Sequence, residues 1–461
     1  MATIASRVQQ ATRADAITGR YDAWLLIGGL AMLAFGTVMV ASASFPEAVS
    51  NGKSPFYFLE HHVVFLIGGM FLAWSLMRTE LKDIESWSKL LPLACIALLL
   101  VVAVPGLGVT VKGARRWINL GITRFQPVEV VKLLMIVWLA SYLVRFRDEV
   151  NGTWKAMLKA ILVACVMGAI LLVVQKDFGS TALLLAITAV MLVLGGVHMP
   201  RMLMPAILLM PALALMILME PYRMKRLVSY LNPWEDPLGS GYQLTNALMA
   251  IGRGEFWGVG LGGSVQKLSY LPEAHTDFIM AVISEELGFV GVCAVISMYM
   301  LVVGRAFVIG LKCVEMRRFF AGFCAFGIGT WIALQAFISI GVNLGLLPTK
   351  GLTLPFISYG GSSLLATCAA LGLLLRVSYE LTRAERQVAI RRGEVAATPQ
   401  APEITMPSMN SVRTAADDAR AAVAHNLGKL MRRGRSSGDQ QRRRIEPVLG
   451  KERELDKVDR E

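Results

Sequence analysis

Charge is what this sequence most lacks for its length. Only 17% of its 461 residues are charged, while 55% are hydrophobic. A soluble domain carries about a quarter of its residues as charges, so the shortage points away from a soluble multi-domain enzyme. Histidine is scarcer still, with five in all. No HExxH, no Walker sequence and no GxSxG occurs, which removes zincin, P-loop and serine-hydrolase chemistry. The glycine-dense GRGEFWGVGLGG does not stand between a strand and a helix, so it is not read as a nucleotide loop. The six cysteines, Cys95, Cys165, Cys293, Cys313, Cys324 and Cys368, form no CxxC and read as apolar filler or reduced thiols. No cleavable leader pattern is visible, and the first apolar run, from Trp24, is expected to remain as a membrane helix.

What is present is a series of apolar runs long enough to cross a bilayer, each needing ~20 residues. They fall at 23–44, 61–78, 88–106, 126–145, 156–175, 178–197, 199–219, 277–304, 319–343 and 358–376. The expected fold is an all-α polytopic membrane protein of about ten transmembrane helices. A cytoplasmic segment, 1–22, would precede a membrane domain over 23–379, with a large periplasmic loop at 220–276. The basic stretch 380–461, with RRGRSSGDQQRRR, is expected to be a disordered cytoplasmic tail. An even span count puts both termini on one side, and the Lys and Arg bias makes that side cytoplasmic. The net charge of +13 sits largely in the tail and loops, so it is no sign of nucleic acid.

Some cations defy that bias. Lys112, Arg115, Arg116 and Arg124 crowd one short outer loop, VKGARRWINLGITRF. Arg223, Lys225, Arg226, Arg253 and Lys267 lie in the long one. Outer cations point to an anionic ligand or to anionic lipid. Within the long loop, YQLTNALMAIG has Leu244, Leu248 and Ile251 at helical spacing and is expected to form a short amphipathic helix. Four helices open at the outer face with polar sequence: FQPVEVVK, QKDFGS, EAHTDF and PTKGLTLPFISYGGSS. Helix N-termini carry partial positive charge and free N–H groups that suit phosphate.

The acids deserve separate readings. Asp177 before an apolar helix is read as an N-cap. Glu129 and Lys132, three apart on one helical face, make either a tolerated ion pair or a pair that tunes a third group. Lys350 meets either a phosphate or the membrane interface. Asp277, with His275 and Thr276, either caps its helix or serves as a base that takes a hydroxyl proton. Glu285 and Glu286 lie ~12–14 Å further along at 1.5 Å per residue, too deep for the same step, and read as structural or conformational.

GARRWINLG, FQPVEVVKL, DFGSTALLL, NPWEDPLGSGYQL, LPEAHTDFIMAVISEELGFVG and GLLPTKGLTLPFISYGGSS resemble, in order, the signature blocks of the SEDS family. The resemblance spans roughly residues 20–380, and LLPTKGLTLPF is similar to the family's cell-division members. Val128 stands where the family commonly has Ser, and Lys176 where it often has Pro. The resemblance implies a peptidoglycan glycosyltransferase of the bacterial inner membrane that polymerises lipid II at the division septum. It implies Asp277 as catalytic base, with undecaprenyl pyrophosphate leaving. Glu129, Lys132, Arg116, Arg226, His275, Thr276 and Lys350 would bind substrate or orient the base. It also implies a divalent cation, Mg or Mn, as a possible cofactor. The implied partners are a class B penicillin-binding protein transpeptidase (FtsI-like) and other divisome membrane proteins (FtsQ-, FtsL-, FtsB- and FtsN-like). Two other classes stay open: a lipid II flippase, for which Glu285 and Glu286 at mid-depth would be the groups to cite, and a non-catalytic division scaffold.

Overall fold

The computed structural model describes residues 17–392, apart from 112, 120, 122, 220 and 350. Lys350 and the tail beyond residue 392 therefore lie outside the described residues. Helices α1 (Ala23–Ser50) and α2 (Tyr57–Arg78) come first. Next, α3 (Leu81–Trp87) runs through a 3-10 turn into α4 (Leu91–Val101). A small sheet follows, β1 (Gly108–Val111), β2 (Ala114–Asn119) and β3 (Arg124–Phe125). Then come α5 (Pro127–Arg145), α6 (Arg147–Gly152), α7 (Trp154–Val173), α8 (Phe178–Leu194) and α9 (Met199–Leu218). The chain ends in α10 (Pro221–Leu231), α11 (Tyr242–Gly254), α12 (Ile279–Glu315), α13 (Phe319–Asn343) and α14 (Gly361–Arg391).

Eight stretches among the described residues are long and apolar enough to cross a membrane. The expected sixth and seventh spans exist as α8 and α9, but their apolar stretches are shorter, Phe178–Leu194 and Met199–Pro211. Burial divides the helices into centre and rim. Most of α5, α13 and α14 is buried, whereas α2 turns Val64, Ile67, Phe71 and Trp74 outward. Large apolar side chains facing out suit lipid as the solvent. In lipid, backbone polar groups must pair within the protein.

The helical fold carries one small sheet that the sequence reading does not anticipate. The cation-rich 108–125 stretch pairs as an antiparallel sheet in the order β1-β2-β3. Arg115 holds it to the end of α4 by donating to the carbonyls of Ala103 (3.0 Å) and Val104 (2.9 Å). Trp117 and the β-branched Ile118, in a segment closed by the Gly113 turn (φ +77°), suit strands.

The last helix also exceeds its expected end at 376. Glu380 accepts from Arg376 (3.0 Å), Arg318 (3.3 Å) and the Leu81 N–H (3.0 Å), and the helix continues to Arg391. At the same end of the bundle, Asp22 caps α1 through the Leu25 N–H and pairs with Arg305. Partial burial opposes its ionisation, but the Arg305 and Leu25 bonds hold its carboxyl below the usual range.

The expected unbroken helix over 277–304 is also corrected. Gly288 leaves the helical region inside α12 (φ 63°, ψ −160°). The backbone of 255–260 crosses at this kink. Val259 and Gly260 donate to the carbonyls of Glu285 and Glu286, both at 3.0 Å, and Phe289 donates to Glu255 at 3.0 Å. The glycines of GRGEFWGVG permit this approach, since a Cβ on Gly288 would strike the Gly258 nitrogen and one on Gly258 the Glu286 carbonyl. Gly288→Ala should therefore lower stability by about 2 kcal/mol or more, because a strained positive φ alone costs ~1–3 kcal/mol. The thermal midpoint of the detergent-purified protein measures it, and an unchanged midpoint would remove the kink from the account.

Candidate active site around Asp277

Asp277 sits just before α12, on a tight turn. The N–H groups of Thr276, Asp277 and Phe278 all point at the Glu273 carbonyl, at 3.2, 3.1 and 3.2 Å. Glu273 itself takes φ +60°, which bulky residues rarely adopt. The N-cap position falls on Phe278, whose side chain accepts no hydrogen bond. The Asp277 carboxylate is half-buried and faces Gly351, where a Cβ would lie 2.8 Å from Oδ2. The 344–360 loop thus passes directly beside the carboxylate.

That loop is fastened from several elements. Arg226 on α10 donates to the Thr349 carbonyl at 3.0 Å, and the Tyr230 hydroxyl donates to Leu346 at 2.9 Å. Gln335 on α13 donates to the Thr353 carbonyl at 2.9 Å. The Thr353 hydroxyl meets Ser363 at 2.9 Å, and the Tyr299 hydroxyl donates to Pro355. The Tyr359 N–H donates to the His275 carbonyl at 2.9 Å, which ties the loop's far end to the residue two before Asp277.

Glu129 and Lys132 act on the same loop. Lys132 Nζ lies 2.9 Å from both carboxylate oxygens of Glu129 and 2.7 Å from Gln335 Oε1. Gln335 Oε1 also accepts from the Trp331 indole at 2.7 Å. All four side chains are buried, apart from water that would weaken the bonds. The expected pair is therefore real, and it reaches the Asp277 side of the bundle through Gln335 and Thr353, two residues from Gly351. Gln335 is not legible as a site residue in the sequence, since a lone glutamine in an apolar helix has no distinctive neighbours.

The other expected residues take varied places. His275 is buried, with its ring beside Phe58 (4.7 Å) and Tyr359 (5.3 Å). Its Nδ1 lies 3.0 Å from Glu47 Oε2, at an angle that makes no hydrogen bond. Burial pushes the Tyr359 phenol up to about 12, so it stays neutral. The Thr276 hydroxyl turns back to Glu273 Oε2 at 3.0 Å. Arg116 donates to the carbonyls of Gln175 (3.0 Å) and Lys176 (2.6 Å), clasping the turn before α8. Asp177 caps α8 as expected, through the Ser180 N–H and hydroxyl.

Glu285 and Glu286 have partners that the sequence did not reveal. Glu285 accepts from the Ser264 hydroxyl, the N–H groups of Val265 (3.0 Å) and Gln266 (3.3 Å), and Arg253 (3.0 Å). Glu286 accepts from Lys267 (2.6 Å) and Ser42 (2.8 Å). Both carboxylates thus hold the 253–267 loop onto α12 and α1. Among the described residues no group of three or more His, Cys, Asp or Glu is arranged to hold a metal ion. A resident all-protein metal cage does not fit these residues.

Comparison with known proteins identifies the family of the chain. The family model FtsW/RodA/SpoVE, described as cell cycle protein, matches residues 23–383. A probable peptidoglycan glycosyltransferase FtsW from Xanthomonas oryzae pv. oryzae (strain KACC10331 / KXO85) is 63% identical over 378 residues, covering 82% of this chain and 77% of that protein. One from Escherichia coli O157:H7 is 47% identical over 373 residues, covering 81% and 89%. Among solved structures, a chain of a peptidoglycan synthase complex that coordinates polymerization and crosslinking superposes with TM-score 0.64 at 31% identity, covering 78% of this chain and 98% of that one. The rod shape determining protein RodA of Thermus thermophilus gives TM-score 0.56 at 29% identity, covering 78% and 96%.

The buried pair carries a direct consequence. Lys132→Met leaves the Glu129 carboxylate buried without its cation and should cost about 3–5 kcal/mol. Adding Glu129→Gln should return most of that loss, read as the thermal midpoint in detergent. A single variant as stable as the parent would show that the pair does not hold the helices.

Proposed function

Since the chain belongs to the FtsW/RodA/SpoVE family of cell cycle proteins, we propose that it is a peptidoglycan glycosyltransferase that polymerises lipid II at the division septum. It would work in the bacterial inner membrane, with both termini in the cytoplasm and Asp277 at the periplasmic face. The observation that carries this reading is the setting of Asp277. A half-buried carboxylate faces a loop held by Arg226, and through Gln335 by the Lys132–Glu129 pair.

In the proposed reaction the acceptor is the N-acetylglucosamine end of one lipid II unit. Asp277 takes the proton of its 4-hydroxyl as that oxygen attacks the anomeric carbon of the donor sugar. The new glycosidic C–O bond forms while the bond to undecaprenyl pyrophosphate breaks, and the carbon inverts. One ionised carboxylate suffices for this step, whereas a retaining glycosidase needs two about 5–5.5 Å apart. The leaving pyrophosphate gains charge that preorganised cations stabilise. Arg226, on the carbonyl of Thr349, and the adjacent Lys350 are assigned that work. Arg116 contributes charge from the Gln175–Lys176 turn. Glu129, Lys132, His275 and Thr276 position the loop and the turn.

A divalent cation, Mg or Mn, would enter with the pyrophosphate, because such ions commonly bind through one or two carboxylates plus substrate phosphates. The assigned partner is a class B penicillin-binding protein transpeptidase, with other divisome membrane proteins around it. A similar chain is part of a complex that couples polymerization to crosslinking. The flippase alternative loses its main support, because Glu285 and Glu286 are engaged by Arg253, Ser264 and Lys267.

Lipid II polymerisation by the purified protein, with and without the transpeptidase, tests the proposal. Asp277→Asn should lose at least about 10²-fold in turnover, the low end of general-base contributions, while remaining folded and membrane-inserted. Full activity in that variant would sink the base assignment. Wild-type protein that moves lipid II across vesicles but forms no glycan in either condition would favour the flippase.

A further inference from the structure

The helix that follows Asp277 begins without a side-chain cap of its own. Its N–H groups at the first turn need acceptors, and the usual source is the side chain at the N-cap. Phe278 holds that position and offers no side-chain acceptor, only its carbonyl, which takes the Ala281 N–H at 3.0 Å. The N–H of Ala281, third in the helix, is the one a cap side chain commonly takes. Here Asn343 Oδ1, from the end of α13, accepts from it at 3.1 Å. The same amide donates through Nδ2 to the Asp277 carbonyl at 3.0 Å and to the Ser339 carbonyl at 2.8 Å. Asn343 is wholly buried, and its one amide joins three backbone groups, sharing the Ala281 N–H with the Phe278 carbonyl (3.0 Å).

The position is also mechanical. Asn343 is the last residue of α13, and the chain leaves it directly into the loop that brings Gly351 against the Asp277 carboxylate. One side chain therefore sits at the root of the loop and grips the backbone of residues 277–281. An aspartate beside an uncapped helix start is drawn to the free N–H groups, both as an acceptor and by the helix dipole. An amide that satisfies Ala281 from outside removes that competing use.

We propose that Asn343 is a positioning residue for the glycosyl transfer. It caps the Asp277 helix from a neighbouring helix and so keeps the carboxylate turned to the Gly351 loop. The inference rests on Asp277 as the base. Asn343 touches no reacting atom and acts through Asp277 alone.

The test uses the full-length protein in detergent or nanodiscs, with lipid II as substrate. Asn343→Ala removes all three bonds. Asn343→Asp keeps the shape and the acceptor toward Ala281 but removes the amide donors to Asp277 and Ser339. Hydrogen exchange over 277–287 should quicken in Asn343→Ala. Both variants should lose about 10²-fold in kcat, the scale of an ångström-size misplacement of a reacting group, with KM for lipid II within about twofold. A purely structural role would instead lower the folded fraction and leave the kcat of the folded protein intact.

Wild-type kcat in either folded variant overturns the proposal, as does unchanged exchange in Asn343→Ala. Failure of both variants to fold overturns it too, since Asn343 would then be a folding residue. The two readouts separate this idea from the base assignment. If Asp277→Asn were fully active, that assignment would fall, while quickened exchange in Asn343→Ala would still report the cap.

Discussion

A lysine ammonium with almost no access to water sets the terms for the rest of this molecule. Lys132 lies in the middle of the bundle, and its charge is tolerable only because Glu129 and Gln335 surround it. Isolated charges in a low-dielectric interior are costly, and a pair repays the cost only with good geometry and further hydrogen bonds. Both conditions are met here, with the Trp331 ring 5.1 Å from the ammonium as well. That requirement fixes α5 against α13. It also leaves the Gln335 amide nitrogen pointing at Thr353, so a solution to a burial problem becomes a support for the loop beside Asp277.

The same logic recurs at the other buried acids. Glu285 and Glu286 are completely enclosed, and their acceptors are filled from the 253–267 segment and α1. Each carboxylate therefore fastens an element that would otherwise be a long surface connection. The Gly288 kink turns the chain at this point, and backbone bonds from Val259 and Gly260 fill carbonyls near the break in the helix. The 253–267 segment is thus part of the architecture around the Asp277 helix.

Much of this was legible in the sequence, for definite reasons. Spans are long and apolar, so composition alone located nearly all of them. Asp277, Glu129 and Lys132 stood out because charges in apolar runs are expensive. Asp177 was readable as a cap because its partner, Ser180, is three residues away. Information failed wherever a contact joined distant residues. Gln335 and Asn343 are lone amides in an apolar helix, and their partners lie on other elements. The Gly288 break is visible only together with Gly258, thirty positions earlier. The sheet was missed because its strands are short and the stretch was read for its cations. The partners of Glu285 and Glu286 were illegible because Arg253, Ser264, Lys267 and Ser42 lie on other elements.

Taken together, these contacts divide labour between charge and amide. The charged residues Glu129, Lys132, Glu285, Glu286 and Lys267 fix helices and loops to one another, and each is satisfied by its partners. The residues nearest Asp277 are held by neutral groups: Gln335 on Thr353, Tyr230 on Leu346 and Asn343 on the Asp277 carbonyl, with Arg226 the cationic exception. Such a division is physically sensible for a site that, in the proposed reaction, receives a pyrophosphate. Fixed ion pairs beside the substrate would compete with it for cations, whereas amides and hydroxyls can hold backbone in place without adding net charge. Among the described residues, Arg226 is then the cation that holds the loop facing Asp277.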